Sequence, residues 1–135
     1  MRATAVGLAL LFAASPISAQ ERSPALRQNL VDLAYVLGES HALRQACSGR
    51  QDQHWRTRMI ALVEAEQPDA NLDRRLKESF NSGFATWQSQ YPGCTATARR
   101  AEAQAMGRGR VLAERLASAK AASMTENVAE PAVRR

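Results

Sequence analysis

The chain has 135 residues and a formal net charge of +5, with 45% apolar residues but only 5% aromatic ones. This length suits one domain, and the alanine-rich composition, poor in β-branched residues, is typical of close-packed helices. Its two cysteines form no Cys-x-x-Cys motif and no His-x-x-x-His is present, so the common spacings of a structural zinc site are excluded.

Residues 1–19 have the pattern of a secretory signal peptide. Arg2 gives a positive start, Ala3 to Ala14 form an apolar stretch, and Ser15-Pro16 breaks it ahead of Ile17-Ser18-Ala19. The stretch is too short for a membrane anchor, so we expect cleavage after Ala19 and no transmembrane segment in the mature chain. Export to the periplasm argues against nucleic acid as a partner of the basic chain, and favours an envelope protein or an anionic envelope surface.

Four helices are predicted in a helical domain over residues 20–120. The first runs from Pro24 to Cys47 behind a Ser23 cap, and the second follows an Asp52 cap and ends before Pro68. The third starts near Ala70 with Asp69 or Asn71 as cap and ends before Pro92, and the fourth follows Thr95 or Thr97. The polar, proline-containing residues 121–135 are predicted to be a disordered tail.

Short loops between these helices favour antiparallel neighbours, so we expect a small four-helix up-down bundle. Gly38 in the first helix, and Asn81 with Gly83 in the third, indicate places where helices approach closely or bend. Cys47 at the end of the first helix and Cys94 before the fourth would lie at the same end of this bundle. In an oxidising compartment, such a pair is expected to form one structural disulfide.

Four segments in this order, LGESHALRQAC, HWRTRM, FNSGF and YPGCT, carry a resemblance to a known family. The chain resembles an uncharacterised family of small secreted alphaproteobacterial proteins, classified only as a domain of unknown function, over roughly Leu26 to Leu116. The resemblance implies two widely spaced cysteines in a disulfide and a Gram-negative envelope setting. It brings no catalytic residue and no cofactor.

His41 and His54 are the only histidines. His41 lies on or beside the apolar stripe of the first helix, where it is either a packed histidine or a general base or pH switch. No nucleophile elbow, EF-hand spacing or glycine-rich phosphate loop accompanies it. We therefore expect no catalytic residue, metal or cofactor, although an enzyme with a site around His41 remains an alternative.

Two groups of residues are candidates for a binding surface. Arg44, Trp55 and Arg56 are expected near the disulfide end, either as arginine stacked on tryptophan within the fold or as a recognition surface. Arg99, Arg100 and Arg108 lie on the arginine-rich side of the fourth helix. We interpret the protein as a periplasmic, non-catalytic helical protein that binds a partner in the envelope. A small periplasmic stress chaperone is the alternative of a different class.

Overall fold

The computed structural model describes residues 22–129, so the predicted signal peptide lies outside the described residues. This part of the chain contains four helices and no strand, as predicted. They are α1 (Pro24–Ser48), α2 (His54–Glu66), α3 (Ala70–Gln90) and α4 (Ala96–Ala129).

The helix starts follow the capping residues seen in the sequence. Ser23 before α1, Asp69 before α3 and Thr95 before α4 each accept a hydrogen bond from the backbone N–H three residues on. Such bonds satisfy N–H groups that have no partner within the helix. The start of α2 lies one residue later than an Asp52 cap predicts, because the helix begins at His54. Asp52 accepts a hydrogen bond from the backbone N–H of His54 at 3.0 Å.

The end of α4 corrects the sequence prediction. The helix continues to Ala129, whereas a disordered tail was predicted from residue 121. Residues 120–124 include lysine, methionine and two alanines, which are strong helix formers, and the helix continues although most of these side chains are exposed. The correction concerns residues 121–129, since residues 130–135 lie outside the described part of the chain.

The helices alternate in direction along the chain. The ion pair Arg27–Asp69 joins the starts of α1 and α3, and the disulfide Cys47–Cys94 joins the end of α1 to the turn after α3, so these two helices are parallel. Ion pairs at the opposite ends show that α2 and α4 both run antiparallel to them: Arg44–Asp52, Arg22–Glu66 and Lys120–Glu66. The structure thus confirms the predicted up-down order and the disulfide.

Helix α1 lies at the centre of the fold. Its Cα atoms approach those of α2, α3 and α4 within 8 Å, whereas within the described chain α4 comes this close to α1 alone. Every residue from Val36 to Leu43 is buried. Because consecutive residues of a helix point in different directions, this run means that α1 is covered on all sides. Three helices therefore surround one, and the cross-section is not the square of the usual bundle.

The contact of α1 with α3 is made at two glycines. A Cβ on Gly38 would overlap the carbonyl oxygen of Phe80 and lie 2.9 Å from the amide nitrogen of Phe84. A Cβ on Gly83 would overlap the carbonyl oxygen of Tyr35. The two backbones are in direct contact at this crossing, which confirms the close approach predicted from both glycines.

The contact of α1 with α4 is built differently. It contains mostly small side chains, and its buried cluster consists of Val36, Leu43, Ala98, Ala101 and Ala105. The larger leucine-rich cluster lies mainly among α1, α2 and α3, and Leu116 is its only fully buried member from α4. Alanine buries little apolar surface, so α4 gains less from the hydrophobic effect per residue than α3 does.

Candidate functional site

Four consecutive residues at the middle of α1 contact α3, α4 and the groove beside α2. Gly38 faces α3, Glu39 pairs with a side chain of α4, and Ser40 lines a groove between α2 and α4. His41 packs against two rings of α3. These four residues lie within the LGESHAL segment that carries the family resemblance, and all four are buried.

His41 is a packed histidine. It is 3% exposed, and its ring centroid lies 5.8 Å from that of Phe80 and 5.2 Å from that of Phe84. Its Nε2 is 3.3 Å from the amide nitrogen of Gln45, and its Nδ1 has no hydrogen-bond partner among the described residues. Burial lowers the pKa of His41 below its usual value, and the charge of Arg56 lowers it further.

Two buried carboxylates connect α4 to the rest of the fold. Glu39 of α1 accepts a hydrogen bond from Arg108, and Glu66 at the end of α2 pairs with both Arg22 and Lys120. A buried carboxylate is costly unless it is paired in this way. Neither pair was predicted from the sequence, where Arg108 was grouped with Arg99 and Arg100. The one available signal was Glu39 itself, an acidic residue inside an otherwise apolar or small segment.

The three residues predicted near the disulfide end have different environments. Arg44 pairs with Asp52 at 2.8 Å and so connects α1 to the start of α2. Trp55 is partly buried, and its ring makes an edge contact with the exposed His54 at 4.9 Å. Arg56 is exposed and forms no ion pair with the described residues. Arg44 therefore has a structural partner, while Arg56 is available at the surface.

Most arginines of the described chain fall into two groups. Five pair with carboxylates, and all of these except Arg74 join separate elements of the fold: Arg22, Arg27, Arg44, Arg74 and Arg108. Others are exposed and have no ion pair in residues 22–129, and those on α2 and α4 are Arg56, Arg58, Arg99, Arg100, Arg110 and Arg115. The predicted residues Arg99 and Arg100 belong to the second group.

An open groove of about 560 Å³ lies between α2 and α4 and has α1 as its floor. Its floor residues are Leu33, Val36, Leu37 and Ser40. Trp55, Arg58 and Leu62 stand on the α2 side, and Met106, Arg110 and Ala113 on the α4 side. The groove exists because both helices pack on α1 without approaching each other. Only Trp55 among these residues was singled out from the sequence, since the groove depends on how the helices are placed.

Two particular features do not occur in the described part of the chain. No three histidine, cysteine, aspartate or glutamate side chains come close enough together there to hold a metal ion. None of the described helices combines the length and the apolar character needed to cross a membrane. The two cysteines are joined to each other.

Comparison with known proteins places the chain in a group without an assigned activity. Residues 25–119 match the family model described as a protein of unknown function, DUF2385. The matched range agrees with the resemblance seen from the four segments. No curated protein and no solved structure shows significant similarity to the chain.

Proposed function

The chain belongs to this family of unknown function, DUF2385, and we propose that it is an exported, non-catalytic helical protein that binds an anionic partner protein in the bacterial envelope. The observation that carries the proposal is the group of exposed arginines that have no ion pair within the described chain, above all Arg56, Arg99 and Arg100. Arginine is enriched in protein interfaces, where its planar group binds carboxylates with two hydrogen bonds.

The division of the arginines supports this proposal. The protein already uses five arginines in ion pairs with its own carboxylates, including both buried glutamates. The exposed arginines on α2 and α4 have no such carboxylate partner within the described chain, so the fold itself does not require their charge. A surface of one charge favours encounter with a partner of the opposite charge.

The proposed location rests on the N-terminal segment and the disulfide. Residues 1–19 have the order of a signal peptide, and a disulfide persists in an oxidising compartment such as the periplasm. Fractionation of cells that produce the full chain, followed by mass spectrometry, tests this. We expect a periplasmic protein that begins at Gln20, and a cytoplasmic protein that retains Met1 or Arg2 would overturn the proposed location.

The buried state of His41 supports the non-catalytic part of the proposal. A general base must reach a substrate, whereas this ring is covered by Phe80 and Phe84. Complementation of a deletion strain with His41→Gln tests this role. We expect full complementation once the amount of folded protein is matched, and loss of complementation with unchanged folding would contradict it.

Charge reversal tests the binding surface directly. We expect Arg99→Glu with Arg100→Glu to abolish capture of the partner by crosslinking in intact cells. Arg74→Glu with Lys77→Glu on α3 is the control, because it changes the net charge equally on another exposed surface. The ion pairs that it breaks there are exposed pairs within one helix, which contribute little to stability. Equal capture by both double variants, or no partner with the native protein, would overturn the proposal. Arg108 is left out of this test because its loss would leave Glu39 buried without a partner.

A further inference from the structure

We propose that the groove between α2 and α4 binds an acidic amphipathic helix of a partner protein. This inference rests on the proposed function and specifies the segment that the partner presents. A helix laid with its apolar face in a hydrophobic groove is a recurrent way of binding a peptide. The groove offers the three requirements of that mode, namely an apolar floor, room between its walls and charge at its rims.

The walls of the groove suit a helix. On the α4 side, Ala105 and Gly109 pack against α1, and Ala113 is the small residue that is exposed beside the groove. A small side chain at that position lets another helix come close, since the distance between packed helices depends on the side chains at the contact. Met106 beside them is 42% exposed, and its flexible side chain can adapt to a partner.

The charge at the rims selects an acidic partner. Arg58 stands on the α2 side and Arg110 on the α4 side, both are exposed, and neither forms an ion pair with the described residues. No carboxylate is among the described residues that line the groove. Glutamates flanking the apolar face of a partner helix could pair with both arginines. A second copy of this chain is a poorer occupant, because it is also positively charged, at +5 for the full chain and one less once Arg2 is removed, and its α4 is rich in arginine.

Trp55 stands on the α2 side of the groove and carries an unsatisfied donor. Its Nε1–H is buried and has no acceptor in residues 22–129. A buried donor without an acceptor is unfavourable, so a turn of the ring that lets a bound segment accept from this N–H would stabilise the complex. The groove is open along its length, whereas small-molecule sites usually enclose most of their ligand, and this favours a helix over a small molecule.

Binding of synthetic helical peptides tests the proposal on the oxidised mature protein. The probe has leucine and alanine on one face with glutamate on both flanks, and a second peptide has lysine in place of glutamate. NMR of the two indole N–H groups reports where the peptide binds, because Trp55 lines the groove and Trp87 lies outside it. Neither N–H has an acceptor in the described chain, so the two signals are comparable. We expect the acidic peptide to shift Trp55 and not Trp87, and the basic peptide to shift neither.

Charge reversal in the groove should change the preference. Arg58→Glu with Arg110→Glu should weaken binding of the acidic peptide by about tenfold or more and strengthen that of the basic peptide. Arg74→Glu with Lys77→Glu on α3 is the control, because it changes the net charge equally at two side chains that do not line the groove. Equal effects of the two double variants, or equal affinity for both peptides, would overturn the proposal, as would self-association through the groove.

Photocrosslinking in cells separates this inference from the proposed function. A photoreactive residue is placed at Met106 in the groove or, in a second variant, at Arg99 outside it. A protein crosslinked through Met106 supports the groove. A protein crosslinked only through Arg99 overturns the groove while the proposed function stands. No crosslinked protein at either position overturns both, and a lipid crosslinked through Met106 overturns the helix as occupant.

Discussion

The two long contacts of the central helix are stabilised in different ways. Where α1 crosses α3, two glycines bring the backbones into direct contact, and large leucine and phenylalanine side chains fill the space beside them. Where α1 meets α4, the side chains are mostly alanine, and a buried ion pair crosses the contact. The first contact depends on shape and the second on charge. This difference predicts which substitutions each of the two contacts tolerates. Four experiments test the stability of the fold, from the largest expected effect to the smallest.

The largest effect is expected at the disulfide, which fastens the end of α1 to the turn between α3 and α4. Replacing both Cys47 and Cys94 with serine should lower the free energy of unfolding by about 4 kcal/mol, because the unfolded chain is no longer closed into a loop. Urea unfolding measures this, and reductant should destabilise the native protein but leave the double variant unchanged. Equal urea midpoints for the two proteins would contradict a stabilising role.

The contact with α3 should be the less tolerant of added volume. Gly38→Ala should cost about 3 kcal/mol, since its methyl group meets backbone atoms of Phe80 that no rotamer change can move away. Gly107→Ala on α4 is the control, because a Cβ there meets no atom within 4 Å. Alanine is the better helix former, so the control should gain up to about 1 kcal/mol. Thermal unfolding compares them, and a stable Gly38→Ala protein would show that the crossing can open.

The contact with α4 should respond to charge, and unequally for the two partners. Arg108 is 49% exposed while Glu39 is 2% exposed. Arg108→Met leaves the buried carboxylate of Glu39 without its partner and should lower the free energy of unfolding by about 2 kcal/mol. This is less than for a fully buried pair, because Arg108 itself is half-exposed. Glu39→Gln leaves an arginine that water can reach and should cost about 1 kcal/mol. Equal losses in urea unfolding would mean that the burial of Glu39 is unimportant.

The smallest effect concerns His41 at the α3 contact. Its folded pKa lies below the value of about 6.5 for an unfolded chain, so the unfolded state binds more protons as the pH falls. The contribution of neutral His41 to the free energy of unfolding is therefore fully present above about pH 6.5 and is lost progressively as the pH falls below it. We expect urea midpoints to fall between pH 7 and pH 5 in the native protein and to fall less in His41→Gln. An equal fall of the urea midpoint in His41→Gln and in the native protein would contradict this role of His41.

The sequence was most informative where the decisive interactions are local. Capping bonds span three residues, and so Ser23, Asp69 and Thr95 mark the helix starts correctly. Gly38 could also be interpreted alone, because a glycine inside a long helix has few reasons other than close packing. The disulfide could be predicted because the chain has only two cysteines and is predicted to be secreted, so Cys47 had no partner in the chain other than Cys94.

Interactions between distant residues could not be predicted in the same way. Glu39 and Arg108 are 69 positions apart, and the spacing of neither residue indicates the other. The central position of α1 could not be predicted for a similar reason. Its leucines indicate one buried side, whereas the residues on its other sides are small or polar and do not indicate burial. The groove between α2 and α4 follows from that central position, and so no pattern within either helix could indicate it.

The contacts that Gly38, Glu39, Ser40 and His41 make with the surrounding helices allow only one rotation of α1 about its own axis. Each added residue turns the following part of a helix by about 100°. One alanine inserted before Gly38 would therefore turn the glycine away from α3, the glutamate away from Arg108 and the histidine away from its phenylalanines at once. The middle of α1 therefore fixes the register of the three helices packed around it, and an insertion in a loop would not disturb these contacts in the same way.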